Sequence, residues 1–249
     1  NIKKELNLII ENNVIYVSDN FGYLYAFDYI KNKILWAKNY KTPFRSNLKI
    51  KNNKIITANQ NNDLYFFDKL TGDALRLIPT EENLVKNEFI NNLSLNDKYT
   101  LFLNTYGSLY AINNEEMKIA WFINLNKSLD LNPSNLFKGN QIVHQKEKII
   151  VNANENTYVL DINSGSILFK LNLSSKIKPI IMNEYLFLIS KNNLLISFNL
   201  KNGEIIYSHN INDEISKFLK IKKKTVDCKN LIMVNGKLFV FLTSSYVLK

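Results

Sequence analysis

Few residues of this chain combine a reactive side chain with the spacing that catalysis or metal binding needs. The two histidines, His144 and His209, lie far apart, and neither has a carboxylate cluster at ligand spacing. The single cysteine, Cys228, excludes an internal disulfide and a zinc site built from several thiolates. The sequence contains no glycine-rich phosphate loop, nucleophile elbow or His-Glu-x-x-His motif. We therefore predict no enzyme activity, no catalytic residue, no cofactor-binding residue and no metal site.

One set of acidic and amide side chains recurs in register along the chain. Its members, which we call the turn anchors, are Asp28, Asp68, Asn113, Asp161 and Asn199. Successive turn anchors are 40, 45, 48 and 38 residues apart. Four residues after them stand Asn32, Gly72, Met117, Gly165 and Gly203, and eight residues after them stand Trp36, Arg76, Trp121, Phe169 and Tyr207. A position repeated in every unit indicates turn chemistry rather than a carboxylate active site.

The segments around the turn anchors have the character of β-strands. Apolar runs of four to seven residues, rich in Ile, Val, Tyr, Phe and Leu, are bounded by Asn, Asp and Gly. Asp and Asn accept hydrogen bonds from nearby backbone in turns, and Gly165 can supply the positive φ that a tight connection often needs. The large residue eight positions after a turn anchor falls on the next strand. There we expect it to pack against the neighbouring repeat.

This spacing suits one four-stranded propeller blade per repeat. We predict an all-β fold, a β-propeller of four-stranded antiparallel blades with five complete repeats and a partial sixth. The predicted repeats are approximately 7–47, 48–92, 93–141, 142–180, 181–230 and 231–249. They form a single propeller domain, or a fragment of one, over residues 1–249. Two alternatives stay open: a longer parent of seven or eight blades, or a six-bladed ring whose last blade is completed by residues 2–6.

The repeat resembles the PQQ-like, or tryptophan-docking, repeat. That pattern joins an aliphatic–aromatic strand, an Asp, a turn with Thr-Gly or Ser-Gly, and an aromatic residue soon after. The copies here read LYAFDYIKNKILW, LYFFDKLTGDALR, LYAINNEEMKIAW, YVLDINSGSILF and ISFNLKNGEIIY. The second and fifth copies lack Trp, and the first and third lack the turn glycine. The resemblance covers nearly the whole chain.

Two groups of proteins carry this repeat, and they imply different functions. Quinoprotein dehydrogenases bind pyrroloquinoline quinone and calcium and often stack a vicinal disulfide on the cofactor, which a chain with Cys228 alone cannot form. The other group is the BamB family of outer-membrane assembly lipoproteins. The cysteine-poor composition is similar to BamB-like proteins of alphaproteobacteria. That resemblance implies a non-catalytic, periplasmic scaffold, associated with the outer membrane, which binds the β-barrel assembly protein. A quinoprotein dehydrogenase fragment is the first alternative.

The net charge of +10 raises a second alternative, a nucleic-acid-binding propeller. Only Arg45 and Arg76 supply the guanidinium group favoured for bidentate phosphate and base recognition. The lysines are scattered, apart from a cluster at Lys220, Lys222, Lys223 and Lys224. A dispersed basic surface explains this pattern, so we do not expect nucleic acid as a partner. Membrane contact is expected only through a lipid anchor outside this segment.

The repeats differ most in the connection that follows their last strand. Extra residues occur at 79–92, 126–141 and 212–230. A propeller places this connection on one face, and insertions gathered on one face are typical of a binding surface. The candidate partner-binding residues are Leu84, Phe89, Leu131, Phe137, Phe218 and Leu219. We expect Asp213 to cap a short helix that either contacts a partner or membrane or packs across the propeller rim.

Overall fold

The computed structural model describes residues 4–82, 90–126, 139, 141–153, 155–220 and 226–249. The chain divides into two compact units, Asn1–Gly139 and Asn140–Lys249. In the described part of the chain, antiparallel β-sheet makes up nearly all regular structure, together with one short helix in the second unit. Within these described ranges, no helix has the length and apolar character needed to cross a bilayer.

Three four-stranded sheets follow one another along the first unit, and in each the strands pair in chain order. The first sheet consists of β1 (Leu6–Glu11), β2 (Val14–Asp19), β3 (Tyr23–Asp28) and β4 (Lys33–Asn39). The second consists of β5 (Lys49–Lys51), β6 (Lys54–Ala58), β7 (Leu64–Asp68) and β8 (Ala74–Ile78). The third consists of β9 (Asn92–Leu95), β10 (Tyr99–Leu103), β11 (Ser108–Asn113) and β12 (Ile119–Asn124).

The second unit contains two four-stranded sheets, the helix and a three-stranded sheet. The fourth sheet consists of β13 (Val143–Gln145), β14 (Lys148–Ala153), β15 (Asn156–Asp161) and β16 (Ile167–Leu171). The fifth consists of β17 (Ile180–Met182), β18 (Tyr185–Ile189), β19 (Leu194–Asn199) and β20 (Ile205–Asn210). Helix α1 (Ile211–Leu219) follows, and β21 (Cys228–Val234), β22 (Lys237–Leu242) and β23 (Val247–Leu248) form the sixth sheet.

These sheets confirm the predicted fold class. Five repeats are complete four-stranded propeller blades, and the sixth is a partial, three-stranded blade. Side chains that alternate along a strand point to opposite faces of the sheet. Phe66 and Phe67 are therefore adjacent in sequence but pack into different layers, and each is fully buried.

Within each unit, the hydrophobic core lies between successive blades. In the first unit, Phe67 packs with Leu24 and Phe44 between blades one and two, and Phe66 packs with Phe102 between blades two and three. Corresponding layers in the second unit are formed by Val159, Leu186 and Phe198 and by Ile189, Leu231 and Val240. Burying both faces of a sheet in this way leaves only its edges exposed.

Each complete blade has two ends that differ in their connections. At one end lie the turn between the second and third strands and the chain that leaves the fourth strand. We call this the connection end. At the other end lie the turn between the first two strands and the turn between the last two, which carries the turn anchor. The long connections predicted from the sequence therefore start at the connection ends of their blades.

Candidate functional site

All five turn anchors lie at the end of the third strand of a blade, opposite the connection end. In the first four blades the side-chain oxygen of the anchor accepts hydrogen bonds from the backbone N–H groups two and three residues later, at 2.8–3.0 Å. Asn199 accepts from Lys201 N alone among the described contacts, at 2.8 Å. The side chains are therefore occupied by the turn that they terminate.

The residue four positions after each turn anchor has a left-handed backbone. Its φ is 49° at Asn32, 76° at Gly72, 53° at Met117, 72° at Gly165 and 82° at Gly203. The register between the third and fourth strands shifts just before the anchor in all five blades. A bulge next to a left-handed residue is a standard way to close a short hairpin. Asn32 and Met117 adopt this conformation without the freedom of glycine; Asn is enriched in the left-handed region, whereas Met is not.

Two of the large residues eight positions after an anchor dock on the glycine of the next blade. A Cβ atom on Gly72 would lie 2.5 Å from the Trp36 ring, and a Cβ on Gly203 would lie 2.6 Å from the Phe169 ring. The indole of Trp36 also donates from Nε1 to Lys69 O at 3.1 Å. The glycines therefore serve two purposes, because they permit a positive φ and leave room for a ring.

The other three large residues lie at the same strand position in their own blades. Trp121 is half-buried on β12, whereas Arg76 on β8 and Tyr207 on β20 are exposed. Tyr207 keeps 43% of its surface exposed.

Asp161 provides a direct test of the turn anchors. Asp161→Ala removes the acceptor for Asn163 N and Ser164 N, so we expect the free energy of unfolding to fall by about 1 kcal/mol. Asp161→Asn retains an acceptor of the kind that Asn113 supplies naturally, and it should stay within about 0.5 kcal/mol of wild type. Urea unfolding followed by circular dichroism measures both changes. Equal losses in the two variants would contradict the turn role.

The difference in stability between wild type and Asp161→Asn should depend on pH, because the Asp161 side chain is titratable and an amide is not. The Ser164 hydroxyl, with the backbone N–H groups of Ser164 and Asn163, holds the pKa of Asp161 below its ordinary value. A lowered folded-state pKa stabilises the folded protein above about pH 4, and this contribution is lost as the pH falls through the folded pKa. The stability of wild type relative to Asp161→Asn should therefore decrease on acidification below about pH 4.

A second recurring position lies nine residues before each turn anchor, and the sequence interpretation missed it. It is occupied by Asp19, Asn59, Asn104, Asn152 and Ser190. In the first three blades its oxygen accepts from the N–H groups two and four residues later, at 2.9–3.0 Å. The constant spacing was available in the sequence. Its detection requires Asp, Asn and Ser to be treated as equivalent acceptors.

The turn between the second and third strands also accepts hydrogen bonds from the chain that leaves the fourth strand of the same blade. Tyr40 N donates to Gly22 O at 2.8 Å, Leu125 N donates to Gly107 O at 2.8 Å, and Ile211 N donates to Asn193 O at 3.0 Å. In the second blade the Thr80 hydroxyl donates to Asn62 O at 2.6 Å. Each long connection therefore leaves from a backbone that its own blade fixes.

A polar network centred on Glu81 attaches the 79–92 connection to the third blade. Its carboxylate accepts from Ser108 Oγ at 2.5 Å, Asn104 Nδ2 at 2.6 Å and Tyr110 OH at 2.8 Å. Asn62 Nδ2 donates to the Glu81 carbonyl at 3.0 Å. Burial raises the pKa of Tyr110 far above its ordinary value, and the hydrogen bond to Glu81 and the charge of Glu81 raise it further. The phenol is therefore a permanent donor to this carboxylate.

Helix α1 (Ile211–Leu219) begins one residue before the predicted 212–230 connection and forms its first part, and its cap differs from the prediction. Asn210, not Asp213, is the N-cap, and its side chain accepts from Asn212 N at 3.0 Å. The helix begins at Ile211 because this residue is buried in the layer beneath, which places Asp213 in the first turn. There its negative charge interacts favourably with the positive end of the helix dipole.

The predicted partner-binding residues separate into two groups. Phe218 and Leu219 lie at the end of α1, where Leu219 packs on the core and Phe218 is 75% exposed. Leu84, Phe89, Leu131 and Phe137 lie outside the described residues. The structure therefore positions one exposed apolar candidate, Phe218, at a connection end.

The histidines and the cysteine lie apart from one another, as judged from the residues described. His209 Nε2 lies 3.4 Å from Glu214 Oε1, and His144 lies on β13. Cys228 is buried, which raises the pKa of its thiol. No group of three His, Cys, Asp or Glu side chains suited to a metal ion occurs in the described part of the chain.

Comparison with known families decides how this architecture is classified. The model of the family described as outer membrane protein assembly factor BamB matches residues 6–205 and, in an overlapping match, residues 105–245. The chain belongs to this family. No curated protein sequence matches it significantly.

Solved structures agree with the BamB-family assignment at the level of fold. BamB from Moraxella catarrhalis is 12% identical, with a TM-score of 0.76 over 98% of this chain and 75% of that chain. The computationally designed Ika8 protein is 10% identical, with a TM-score of 0.69 over 97% and 69% of the two chains. Quinohemoprotein alcohol dehydrogenase from Comamonas testosteroni is 12% identical, with a TM-score of 0.61 over 82% and 42%. A BamB structure, a designed protein and an enzyme therefore share this architecture, so fold alone does not assign the function.

Proposed function

We propose that this chain is a non-catalytic scaffold of the periplasm, associated with the outer membrane, that binds the β-barrel assembly protein through the connection ends of its blades. Membership of the BamB family supports this class of partner. One structural observation supports the connection ends as the binding surface. The long connections start from backbone that is hydrogen-bonded to the turn between the second and third strands. Loops held on a rigid scaffold are common sites of protein recognition.

The connection that contains α1 is the best-described part of this surface. Ile211 and Ile215 fix the helix by their burial, and the Asn210 cap fixes its first turn. Phe218 then projects from a positioned helix with three quarters of its surface exposed. An exposed aromatic side chain on an ordered element loses little conformational entropy on binding, which is why such residues are enriched among strong contacts. Leu84, Phe89, Leu131 and Phe137 remain proposed contacts of the same kind.

Phe218→Glu is therefore expected to weaken binding of the β-barrel assembly protein by about tenfold, because it places a charge in the apolar contact. The Kd of the complex between the purified chain and the assembly protein of the same organism is measured by bio-layer interferometry. Leu70→Glu is the matched control, since Leu70 is 71% exposed but lies in a turn opposite the connection end. Thermal unfolding should show both variants folded.

Three results would contradict the proposal. The first is binding no stronger than that of the designed Ika8 propeller, which has the same fold and serves as a negative control. The second is turnover: reduction of an acceptor dye after reconstitution with pyrroloquinoline quinone and calcium would favour the quinoprotein alternative. An equal loss of binding in Leu70→Glu would show that the contact is not at the connection end.

A further inference from the structure

A cavity lies between the fourth and fifth blades, at the end opposite their connection ends. We call the turn between the first two strands of a blade its first turn. The cavity has a volume of about 360 Å³, and the first turns of these two blades form most of its wall. Both blades are complete and belong to the second unit. The lining includes Gln145, Lys146, Glu147 and Lys148 of blade four and Asn183 and Glu184 of blade five.

One side-chain atom of this lining lacks a hydrogen-bond partner. Gln145 Oε1 is buried and accepts no hydrogen bond from the part of the chain that the structure describes. Gln145 ends β13 and pairs with Lys148 at the start of β14, which holds it at the first turn. Buried polar atoms of native proteins nearly always have a partner. An acceptor without a donor in a cavity wall therefore indicates a ligand that brings the donor.

The second and third blades have a different side chain at the same position. Lys51 pairs with Lys54, which pairs with the turn anchor of blade two. Gln145 pairs with Lys148, which pairs with the turn anchor of blade four, so Lys51 corresponds to Gln145. Lys51 Nζ contacts Asp97 Oδ1, in the first turn of blade three, at 2.6 Å. Blades two and three therefore supply their own ammonium group at this position.

A second lysine is common to both pairs of blades. Lys54 Nζ donates to Asn114 O at 3.0 Å, and Lys148 Nζ donates to Leu200 O. Each carbonyl belongs to the residue that follows the turn anchor of the next blade. The two places therefore have the same frame, and they differ in the group that crosses from one first turn to the next.

Two amides replace the ion pair between blades four and five. Gln145 stands in the place of Lys51, and Asn183 stands in the place of Asp97, two residues before the second strand of its blade. The glutamine side chain is shorter than that of lysine and carries no charge. This place therefore lacks an ammonium group but keeps amide oxygens that can accept hydrogen bonds from one.

The charged groups of the lining favour a cation over an anion. Glu147, Glu184 and Lys146 are exposed at the cavity rim, where two carboxylates outnumber one ammonium group. The Lys148 ammonium group is held by a backbone carbonyl. Between blades two and three, Lys51 already brings a second ammonium group beside the lysine that corresponds to Lys148. A bound ammonium group reproduces this arrangement, whereas an anion would meet the two carboxylates.

We propose that this cavity binds the ammonium group of a primary alkylamine, with the alkyl chain in the cavity and one N–H donated to Gln145 Oε1. Glu147 and Glu184 balance its charge, and the Asn183 amide supplies a further acceptor. Free alkylamines and the lysine side chain of a peptide share this chemistry. The site goes beyond the proposed scaffold function, because it lies at the opposite end of the blades from the surface assigned to the assembly protein.

The test is the binding of n-butylammonium, which has the structure of a lysine side chain, to the ¹⁵N-labelled 249-residue chain. We expect saturable chemical-shift changes at the amides of residues 145–148 and 183–184 in NMR spectra. Butyrate and n-butanol should cause no saturable change at these amides. A blocked tripeptide with a central lysine separates the two sources, because tighter binding than that of butylammonium indicates a peptide and weaker binding indicates a free amine.

Gln145→Leu removes the buried acceptor and should weaken butylammonium binding by about tenfold. Gln141→Leu is the matched control, since Gln141 is exposed and lies outside the cavity. Its Kd should equal that of wild type. The two variants carry the same chemical change in the same blade, so a difference between them reports on the cavity.

The double variant Gln145→Lys with Asn183→Asp rebuilds the ion pair of Lys51 and Asp97 and should abolish binding, because its own ammonium group fills the place. Thermal unfolding should show it folded, and it keeps the test valid if Gln145→Leu does not fold. Four outcomes would overturn the inference: no saturable change with butylammonium, equal changes with butyrate, an unchanged Kd in folded Gln145→Leu, or full binding by the double variant.

Discussion

Gly72→Ala is expected to lower the free energy of unfolding by about 3 kcal/mol, the largest effect predicted here for a single methyl group. Two costs combine. A φ of 76° is unfavourable for any residue with a Cβ, which accounts for about 1 kcal/mol. The added atom would also lie 2.5 Å from the Trp36 ring, so the ring or the turn must move, at about 2 kcal/mol more.

Gly236→Ala separates the two costs, since Gly236 has a φ of 72° but a Cβ there meets nothing within 4 Å. We expect this control to lose only about 1 kcal/mol. Urea unfolding in a Trp121→Phe background makes Trp36 the single indole reporter, and its emission should shift to longer wavelength in Gly72→Ala. Similar losses of stability in the two glycine variants would show that the close contact between the added Cβ and the Trp36 ring has no measurable cost. Gly203→Ala should repeat the large effect through Phe169.

Glu81→Ala is expected to cost about 2 kcal/mol, because it removes the acceptor of three donors. Asn104, Ser108 and Tyr110 all direct hydrogen bonds to this carboxylate, and the Tyr110 and Ser108 side chains belong to buried residues. Glu81→Gln keeps one acceptor oxygen and should lose about half as much. Urea unfolding measures the change in global stability, and amide hydrogen exchange of residues 104–110 measures the local opening of the backbone.

The adjacent Glu82 is a matched control for this network. Its side chain is exposed, and the described contact of Glu82 with Tyr106 is made by the backbone carbonyl, which Glu82→Ala retains. That variant should stay within about 0.5 kcal/mol of wild type. Faster exchange at residues 104–110 in Glu81→Ala alone would show that the carboxylate links the 79–92 connection to the third blade. Equal exchange in both variants would contradict this.

The blade itself was predictable from the sequence because its determinants are local. A turn anchor such as Asp161 bonds to backbone within three residues, and its partner Gly165 must take a positive φ four residues later. Strand alternation acts over two residues. These short-range rules are written into every copy, so repetition at 38 to 48 residues identified the architecture. The helix in the 212–230 connection was also predicted, although its cap was misplaced by three residues.

Only the tertiary structure decided which side chains meet between blades. The pairing of Trp36 with Gly72, the packing of Phe169 on Gly203 and the convergence of three donors on Glu81 all depend on how one sheet stacks on the next. The partners in these contacts come from different repeats, and sequence spacing does not specify the rotation and separation of stacked sheets. The sequence by itself determined the turns and strands because backbone hydrogen bonding and side-chain alternation are short-range. Packing between the blades determined the rest.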